Sequence, residues 1–155
     1  VLTCEAEAGA WRRSARLPPQ KWVLVPMPSD LPPPGPLAFA VRLKGRGADL
    51  LYPVGTVAVC LPLQQMLPSI STGCRVLVRL ERRQRHELTV KELVIEEAQA
   101  WLWPRSSDPV HHAPIAVPWP LHGPVAVGAG VDATLLSIEG AVVATWQPEA
   151  ALSLS

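Results

Sequence analysis

Few side chains in this 155-residue chain could perform chemistry, and Lys91 has the most informative setting. In the stretch "ELTVKELVI" it shares a predicted strand face with Leu93 and Ile95. A lysine on an apolar strand face usually extends to the edge, where its ammonium group reaches water. The alternative is a buried lysine with a lowered pKa, which could act as a neutral general base. The residues alone favour the first interpretation, because buried lysines are rare.

Candidate metal ligands and reactive thiols are poorly grouped. His111 and His112 are adjacent, so on a strand they would face opposite ways, and no Cys, Asp or Glu cluster stands nearby to complete a site. Cys4, Cys60 and Cys74 are widely spaced, without a CxxC pair, which suits neither a zinc site nor a disulfide framework. We therefore expect no metal and no cofactor, a reducing cytoplasm as the compartment, and Cys60 as a small core residue.

Nucleic-acid and membrane binding receive little support from charge or aromatic content. The formal net charge is +1, and no apolar run approaches the roughly 20 residues that a membrane helix needs. Trp101 and Trp103 share one predicted strand face, but a base-stacking platform also needs positive charge, and Arg105 is the one cation close by. Packing in the core or at an interface is the better interpretation of these tryptophans.

The elements that must position these groups are mainly strands. The 18 prolines and 10 glycines indicate many turns, and the hydrophobic content of 48% allows one domain with a real core. Residues 1–20 have no helical period and are predicted to be an extended arm, the charged stretch 81–86 a hairpin tip, and residues 117–136 have no assignable pattern. Strands are predicted at Lys21–Pro28, Phe39–Leu43, Thr56–Leu61, Arg75–Leu80, Glu87–Ile95, Ala100–Pro104 and Ile138–Trp146.

One turn is built as though it should present a reactive group. The stretch "LKGRGADLLYPVGT" joins two predicted strands through a glycine-containing turn and a "YPxG" turn. Its apex, Gly47 and Ala48, offers no nucleophile, acid or metal ligand. This raises the question of what function the turn has without such a group.

Several motifs in order resemble the C-terminal self-cleaving domain of LexA-type and lambda-type phage repressors, a Ser–Lys peptidase fold, and the prophage repressors of that group in particular. The family has an Ala-Gly cleavage site in an N-terminal arm, a "GDSM" nucleophile turn before "YPDGT", a "TVK" strand with the catalytic lysine, and a "WPRSxDP" stretch. This chain has "EAEAGAW" with Ala8–Gly9, "KGRGADLLYPVGT", "LTVKEL" with Lys91, "WLWPRSSDP", and a final strand ending in "TWQPE". The resemblance covers about residues 5–149.

The resemblance implies a mainly β fold of twisted, partly antiparallel sheets with an extended N-terminal arm. It also implies an arm over residues 1–20 and an autopeptidase-like dimerisation domain over residues 21–155. Where the family has Gly-Asp-Ser-Met, this chain has Gly45-Arg46-Gly47-Ala48, so Gly47 takes the nucleophile position. Glycine has no side-chain oxygen and cannot form an acyl intermediate. The chain is therefore expected to be a pseudo-peptidase that retains Lys91 and an uncleaved Ala8–Gly9 bond.

Two classes of function follow from this resemblance. The first is a non-cleaving oligomerisation and regulatory domain of a phage-repressor-like transcriptional regulator, bacterial or phage-encoded. It would form a homodimer, with Val142, Ala144 and Trp146 expected on one face of the interface strand. DNA would be bound only through a helix-turn-helix domain upstream of residue 1, a position that the missing initiator Met allows, and an antirepressor protein is an expected partner.

The second class is enzymatic, with a substitute nucleophile acting beside Lys91. Ser69, Ser71 and Thr72 lie in the loop "LPSISTG", but nothing in the sequence aims them at the lysine. A third hypothesis is that the room left around Gly47 and Lys91 forms a groove that binds a peptide from a partner. The N-terminal arm could itself lie across that groove as a pseudo-substrate.

Overall fold

The computed structural model describes residues 2–7, 38–128 and 133–147. These residues are mainly in strands, as the sequence predicts. One short helix, α1 (Leu63–Met66), and two 3-10 helices, Leu67–Ser69 and Pro109–His111, complete the regular structure of these residues. The strands are β1 (Leu2–Glu7), β2 (Phe39–Lys44), β3 (Val57–Pro62), β4 (Arg75–Arg82), β5 (Arg85–Glu96), β6 (Gln99–Trp103), β7 (Ile115–Pro118), β8 (Val125–Val127) and β9 (Thr134–Trp146).

All nine strands belong to one mixed sheet, whereas several sheets were predicted. The order is β1-β2-β3-β9-β4-β5-β6-β7, and β8 pairs with β9 outside this path. Among the described strands, β1 with β2 is the one parallel pair. No helix within the described ranges is both long enough and apolar enough to cross a membrane.

The predicted strands that fall within the described residues are confirmed, and their boundaries move by a few residues. The charged hairpin tip is also confirmed, because Arg83 and Gln84 both have positive φ, as a tight turn between β4 and β5 requires. The unassigned residues 117–136 contain β8 and parts of β7 and β9, and the two shorter strands have only three and four residues. Strands that short leave no readable alternation. The predicted strand at Lys21–Pro28 lies outside the described residues, as does most of the arm.

Apolar residues pack on both faces of the sheet. One cluster gathers Val76, Val78 and Leu93 with the segments around α1 and β7. The other gathers Ala6, Leu77 and Val90 with residues of β2 and β3. Since Val76 and Leu77 are consecutive on β4, the two clusters lie on opposite faces.

The end of the sheet formed by β1, β2 and β3 curls over the centre. Strand β1 contacts β5, although the two are far apart in the strand order. This curl brings Ala6 of β1 into the cluster that contains Val90 of β5. Cys60, predicted as a core residue, is fully buried there, and burial raises the pKa of its thiol to about 12. The curl therefore covers one face of β4 and β5 and brings the N-terminal strand to the middle of the domain.

At Gly140, strand β9 lies too close to β3 to leave room for a side chain. A Cβ atom there would lie 2.4 Å from the Leu61 carbonyl oxygen and 3.2 Å from Cζ of Phe39. The first distance is shorter than real Cβ contacts, and backbone cannot move aside as a flexible side chain could.

We predict that Gly140→Ala lowers the free energy of unfolding by about 1–3 kcal/mol, the usual cost of overpacking. Gly123→Ala is the matched control, since a Cβ at Gly123 meets nothing within 4 Å. Urea denaturation followed by circular dichroism measures both variants. Equal stability of the two would contradict the close approach of β3 and β9.

Candidate functional site

The turn that carries Gly47 joins β2 to β3 and is held at its base by backbone hydrogen bonds. The Leu43 amide donates to the Thr56 carbonyl and the Gly55 amide donates to the Leu43 carbonyl, both at 2.8 Å. Gly45 has a φ of +67°, a conformation that favours glycine. Beyond it the chain folds inward, so that Gly47 is buried.

A small cavity of about 10 Å³ lies against this turn and joins three segments that are distant in sequence. Its walls include Ala6 from β1, Gly47 and Ala48 from the turn, and Thr89 and Val90 from β5. A space of this size holds about one water molecule. The segments that resemble the arm, the nucleophile turn and the lysine strand of the peptidase family therefore meet at one place.

The N-terminal strand runs directly beside the turn. Strand β1 pairs in parallel with β2, with Ala6 opposite Leu43 and Glu7 opposite Lys44. A Cβ on Gly45 would lie 3.0 Å from Cγ of Glu7, so the end of β1 packs against the start of the turn. The expected cleavage site, Ala8–Gly9, immediately follows and lies outside the described residues.

Lys91 is buried, with 7% of its surface exposed. The favoured prediction, that this lysine extends to the edge, is therefore wrong: Lys91 pairs with Val76 and faces the core cluster that contains Val76 and Leu93. Desolvation lowers the pKa of Lys91, and the nearby Glu87 carboxylate opposes this with a smaller effect. The cavity wall includes Thr89 and Val90 but not Lys91. The structure thus places the lysine next to the cavity along the strand, with its side chain on the sheet face opposite Val90.

The loop after β6 fastens the turn through several hydrogen bonds. The Leu50 amide donates to the Arg105 carbonyl at 3.0 Å, and the Ser106 hydroxyl donates to the Arg46 carbonyl. Both the amide (2.7 Å) and the hydroxyl of Ser107 donate to the Asp49 carboxylate. The "WPRSSDP" stretch therefore acts as a clamp on the turn, a role that the sequence did not indicate.

Arg105 is itself fixed by two neighbours. Its guanidinium donates to Glu92 at 3.0 Å and lies over the Trp103 ring at 5.4 Å. Trp101 and Trp103 are half-buried, as expected for packing residues. Arg105 thus anchors the clamp to β5 and β6.

The hydroxyl groups considered as substitute nucleophiles lie elsewhere. Thr72 bonds to the Ile95 backbone, and the Ser71 hydroxyl lies 4.0 Å from the Cys74 sulfur. None of Ser69, Ser71 and Thr72 lines the cavity at Gly47. Thr89 does line it, and alternation along β5 puts Thr89 on the same strand face as Lys91. Sequence reasoning missed Thr89, although its spacing of two from the lysine was a readable signal.

The expected interface residues do not share one face. Val142 lies opposite Cys60, whereas Ala144 lies opposite Val59, because the register shifts between these pairs. Since paired residues project to the same side, the bulge puts Val142 on one face and Ala144 with Trp146 on the other. Val142 packs against the core cluster that contains Cys60, whereas Trp146 packs against a separate pair of buried residues, Ala40 and Val57. The prediction of a common face is therefore wrong, and a bulge cannot be read from alternation alone.

Within the described part of the chain, no group of three or more His, Cys, Asp or Glu side chains could hold a metal ion. His112 instead places Nε2 at 2.8 Å from the Ser106 carbonyl, beside the clamp. His111 ends the 3-10 helix that Asp108 begins by accepting from the Val110 amide. The two histidines therefore take part in the local structure of this loop.

Replacement of Lys91 by methionine should raise the free energy of unfolding at pH 7, because the folded state no longer holds a desolvated amine. Each unit by which burial lowers a lysine pKa costs about 1.4 kcal/mol at pH values below the folded-state pKa. Between the folded-state pKa and the ordinary 10.5, the unfolded chain binds more protons, so wild-type stability rises with pH. The difference between the two proteins should therefore shrink from pH 7 to pH 10 in urea titrations. Lys44→Met, at an exposed lysine, is the control, and a pH-independent difference for Lys91→Met would contradict the argument.

Removal of the Asp49 carboxylate should loosen the clamp. Hydrogen bonds from Ser107 lower the pKa of Asp49, so the clamp is complete above the ordinary carboxyl range and weakens as the pH falls through the lowered pKa. We expect Asp49→Ala to accelerate amide hydrogen exchange at Ser107 and Leu50, measured by NMR. Asp108→Ala, which frees the Val110 amide instead, should leave those two amides unchanged. Equal exchange in both variants would show that the carboxylate does not hold the turn.

Comparisons with known proteins add no identification. No protein-family model matches the chain, and no curated protein matches it at a significant level.

Proposed function

We propose that this chain is a non-cleaving oligomerisation and regulatory domain of a phage-repressor-like transcriptional regulator, and that its peptidase-like centre is inactive. The observation that carries the proposal is the cavity that Ala6, Gly47 and Thr89 line together. Three motifs that only the family resemblance connects come together there in space. At the nucleophile position of that resemblance stands a glycine, which has no oxygen to attack a carbonyl.

The buried Lys91 supports the same interpretation. A Ser–Lys peptidase needs a neutral lysine, and desolvation lowers the pKa of Lys91 in the required direction. A base without a nucleophile is what remains when the serine of such a centre is replaced. The course of β1 also supports a pseudo-substrate role for the arm, since Glu7 packs against Gly45 one residue before Ala8.

In the proposed regulator the domain forms a homodimer in the bacterial cytoplasm. DNA contact belongs to a helix-turn-helix domain upstream of residue 1, and release from DNA requires an antirepressor protein, a ligand or turnover. Ala144 and Trp146, which share one face of β9, remain the proposed interface residues, and Val142 is set apart by the bulge. Sedimentation equilibrium of this chain tests the dimer. A monomer mass at every concentration over a 100-fold range would contradict it.

Self-cleavage by a substitute nucleophile is the second candidate, and Thr89 is the observation that favours it. Thr89 is buried, contributes to the cavity wall, and lies two residues before Lys91 on the same strand. A threonine hydroxyl can act as a nucleophile when a base lies within hydrogen-bond reach.

Restoring the serine separates the two candidates. We expect wild type to keep its intact mass after long incubation at pH 7 and at pH 10, and Gly47→Ser to release a fragment that begins at Gly9. The reaction should be faster at pH 10, where more of Lys91 is neutral. Adding Lys91→Ala to Gly47→Ser should slow it by at least about 100-fold, the usual contribution of a general base. Gly47→Ala, which adds a side chain without oxygen, is the matched control.

Two results would overturn the proposal. Cleavage of wild type at Ala8–Gly9 would establish an active peptidase, and loss of that cleavage in Thr89→Val would identify the nucleophile. An uncleaved but folded Gly47→Ser protein would mean that Gly47 and Lys91 do not form the remnant of a Ser–Lys centre.

A further inference from the structure

The last part of β9 pairs with a neighbour along one edge and is open along the other. Residues 142–146 pair with β3, whereas the pairing of β4 with β9 ends where Val76 lies opposite Ala141. The chain before β4 turns away towards β5, where the Gly73 amide donates to the Leu93 carbonyl at 2.8 Å. Among the described residues, none but those of β3 makes a backbone hydrogen bond with 142–146. Because peptide groups point alternately to the two edges of a strand, part of this backbone is available to another strand.

A cavity of about 330 Å³ lies along this open edge. Four consecutive residues of β9, 142–145, border it, as expected for a space beside the edge of a strand. Gly73 and Cys74 complete the wall at the start of β4, and Tyr52 and Arg75 line it from one side of the sheet. The edge is therefore accompanied by a space that side chains of a bound strand could enter.

Arg75 brings a positive charge to this cavity. It lies two residues before Leu77 and so shares the sheet face of the cluster against which Tyr52 packs. Its guanidinium lies over the Tyr52 ring, 4.9 Å from the centroid. Glu92 is opposite Arg75 on β5, but the Glu92 carboxylate accepts from Arg105 at 3.0 Å. Within the described ranges, no acid forms an ion pair with Arg75 and no Asp or Glu lines the cavity.

The course of β4 determines which way a guest strand would run. Strand β4 is antiparallel to β9 and occupies the edge of β9 from Val76 onward. A guest strand antiparallel to β9 would run in the direction of β4 and meet its start, so the guest would end at Arg75. A guest parallel to β9 would instead bring its amino terminus to the same place. The Arg75 charge repels an ammonium group and attracts a carboxylate, which favours the antiparallel guest.

We propose that this edge binds an extended peptide of another protein, antiparallel to β9, with the C-terminal carboxylate of the peptide on Arg75. Main-chain hydrogen bonds to an exposed sheet edge supply affinity, and capture of the carboxylate fixes the register. Residues 142–146 offer about 17 Å of edge, enough for four or five peptide residues. The inference does not depend on whether the chain cleaves itself, because neither Gly47 nor Lys91 lines this cavity.

The first test compares two peptides that differ in one charge. The probes are acetyl-Thr-Val-Thr-Val with a free C-terminal carboxylate and the same peptide with a C-terminal amide. Each is titrated at pH 7 into the isotope-labelled chain, and binding is followed by amide chemical shifts. We expect the acid to bind at least about tenfold more tightly, since the amide cannot form the charge-assisted hydrogen bonds. The shifts should concentrate at residues 73–75 and 142–146.

Two N-methylated forms of the acid test the strand pairing. One form is methylated at the first and third amide nitrogens, and the other at the second and fourth. Since alternate N–H groups of the guest point to β9, one form should lose at least about tenfold in affinity and the other should keep most of it. Equal affinity of the two forms would contradict pairing with the edge.

Two variants of the chain test the cation. Arg75→Gln should remove the preference for the acid and leave the affinity for the amide unchanged. Arg85→Gln removes the same charge from an exposed position of β5 outside the cavity wall, and this matched control should keep the preference.

The wild-type titrations suffice to overturn the proposal, even if a variant fails to fold. Equal affinity for acid and amide, absence of binding, or shifts that concentrate elsewhere would each contradict it, as would a preference that survives Arg75→Gln. Ala144, proposed above as a dimer contact, also lines the cavity, so a second copy of the chain is the competing occupant. A dimer in sedimentation equilibrium that binds neither peptide would give the edge to that second copy and overturn the proposal.

Discussion

The domain depends on the hydrogen bonding of β9 to three neighbours. This 13-residue strand pairs with β3 and β8 along one edge and with β4 along the other, and so joins the two halves of the sheet. The join demands a close approach at Gly140, where any side chain would collide with the Leu61 carbonyl. It also demands two bulges, which twist the strand strongly and allow the β1–β3 end to curl over β4 and β5. The Gly47 cavity lies under that curl, whereas Lys91 faces the core on the other side of the sheet, with Val76 and Leu93.

The same bulges decide which side chains act together. Around Val143 the bulge separates Val142 from Ala144 and Trp146, which weakens any interface built on all three. A second bulge leaves Glu139 unpaired between Ile138, which lies opposite Val78, and Gly140, which lies opposite Leu77. The Glu139 carboxylate accepts from the Ser137 hydroxyl and lies beside Arg79.

The turn around Gly47 is ordered by contacts from two other segments, although its apex carries no nucleophile. The clamp from Ser106 and Ser107 fixes the turn, and β1 packs against its first residue. Burial still lowers the pKa of Lys91, although a buried amine costs stability when no reaction requires it. A costly buried amine near an ordered turn is what the proposed inactive peptidase would retain. In the proposed regulator the centre would then serve to hold the arm in place.

Local sequence patterns determined the strands and their order along the chain, because alternation and turn residues act over a few positions. Cys60 as a core residue and the "ERRQRH" hairpin were readable for the same reason. The tertiary structure decided the rest. Lys91 was predicted to reach the edge but lies in the core beside Val76, and Thr89 became a candidate only because it contributes to the wall of the Gly47 cavity. The register of β9 at Val142 and at Glu139 depends on bulges that alternation cannot reveal, since a bulge arises from the pairing of strands distant in sequence.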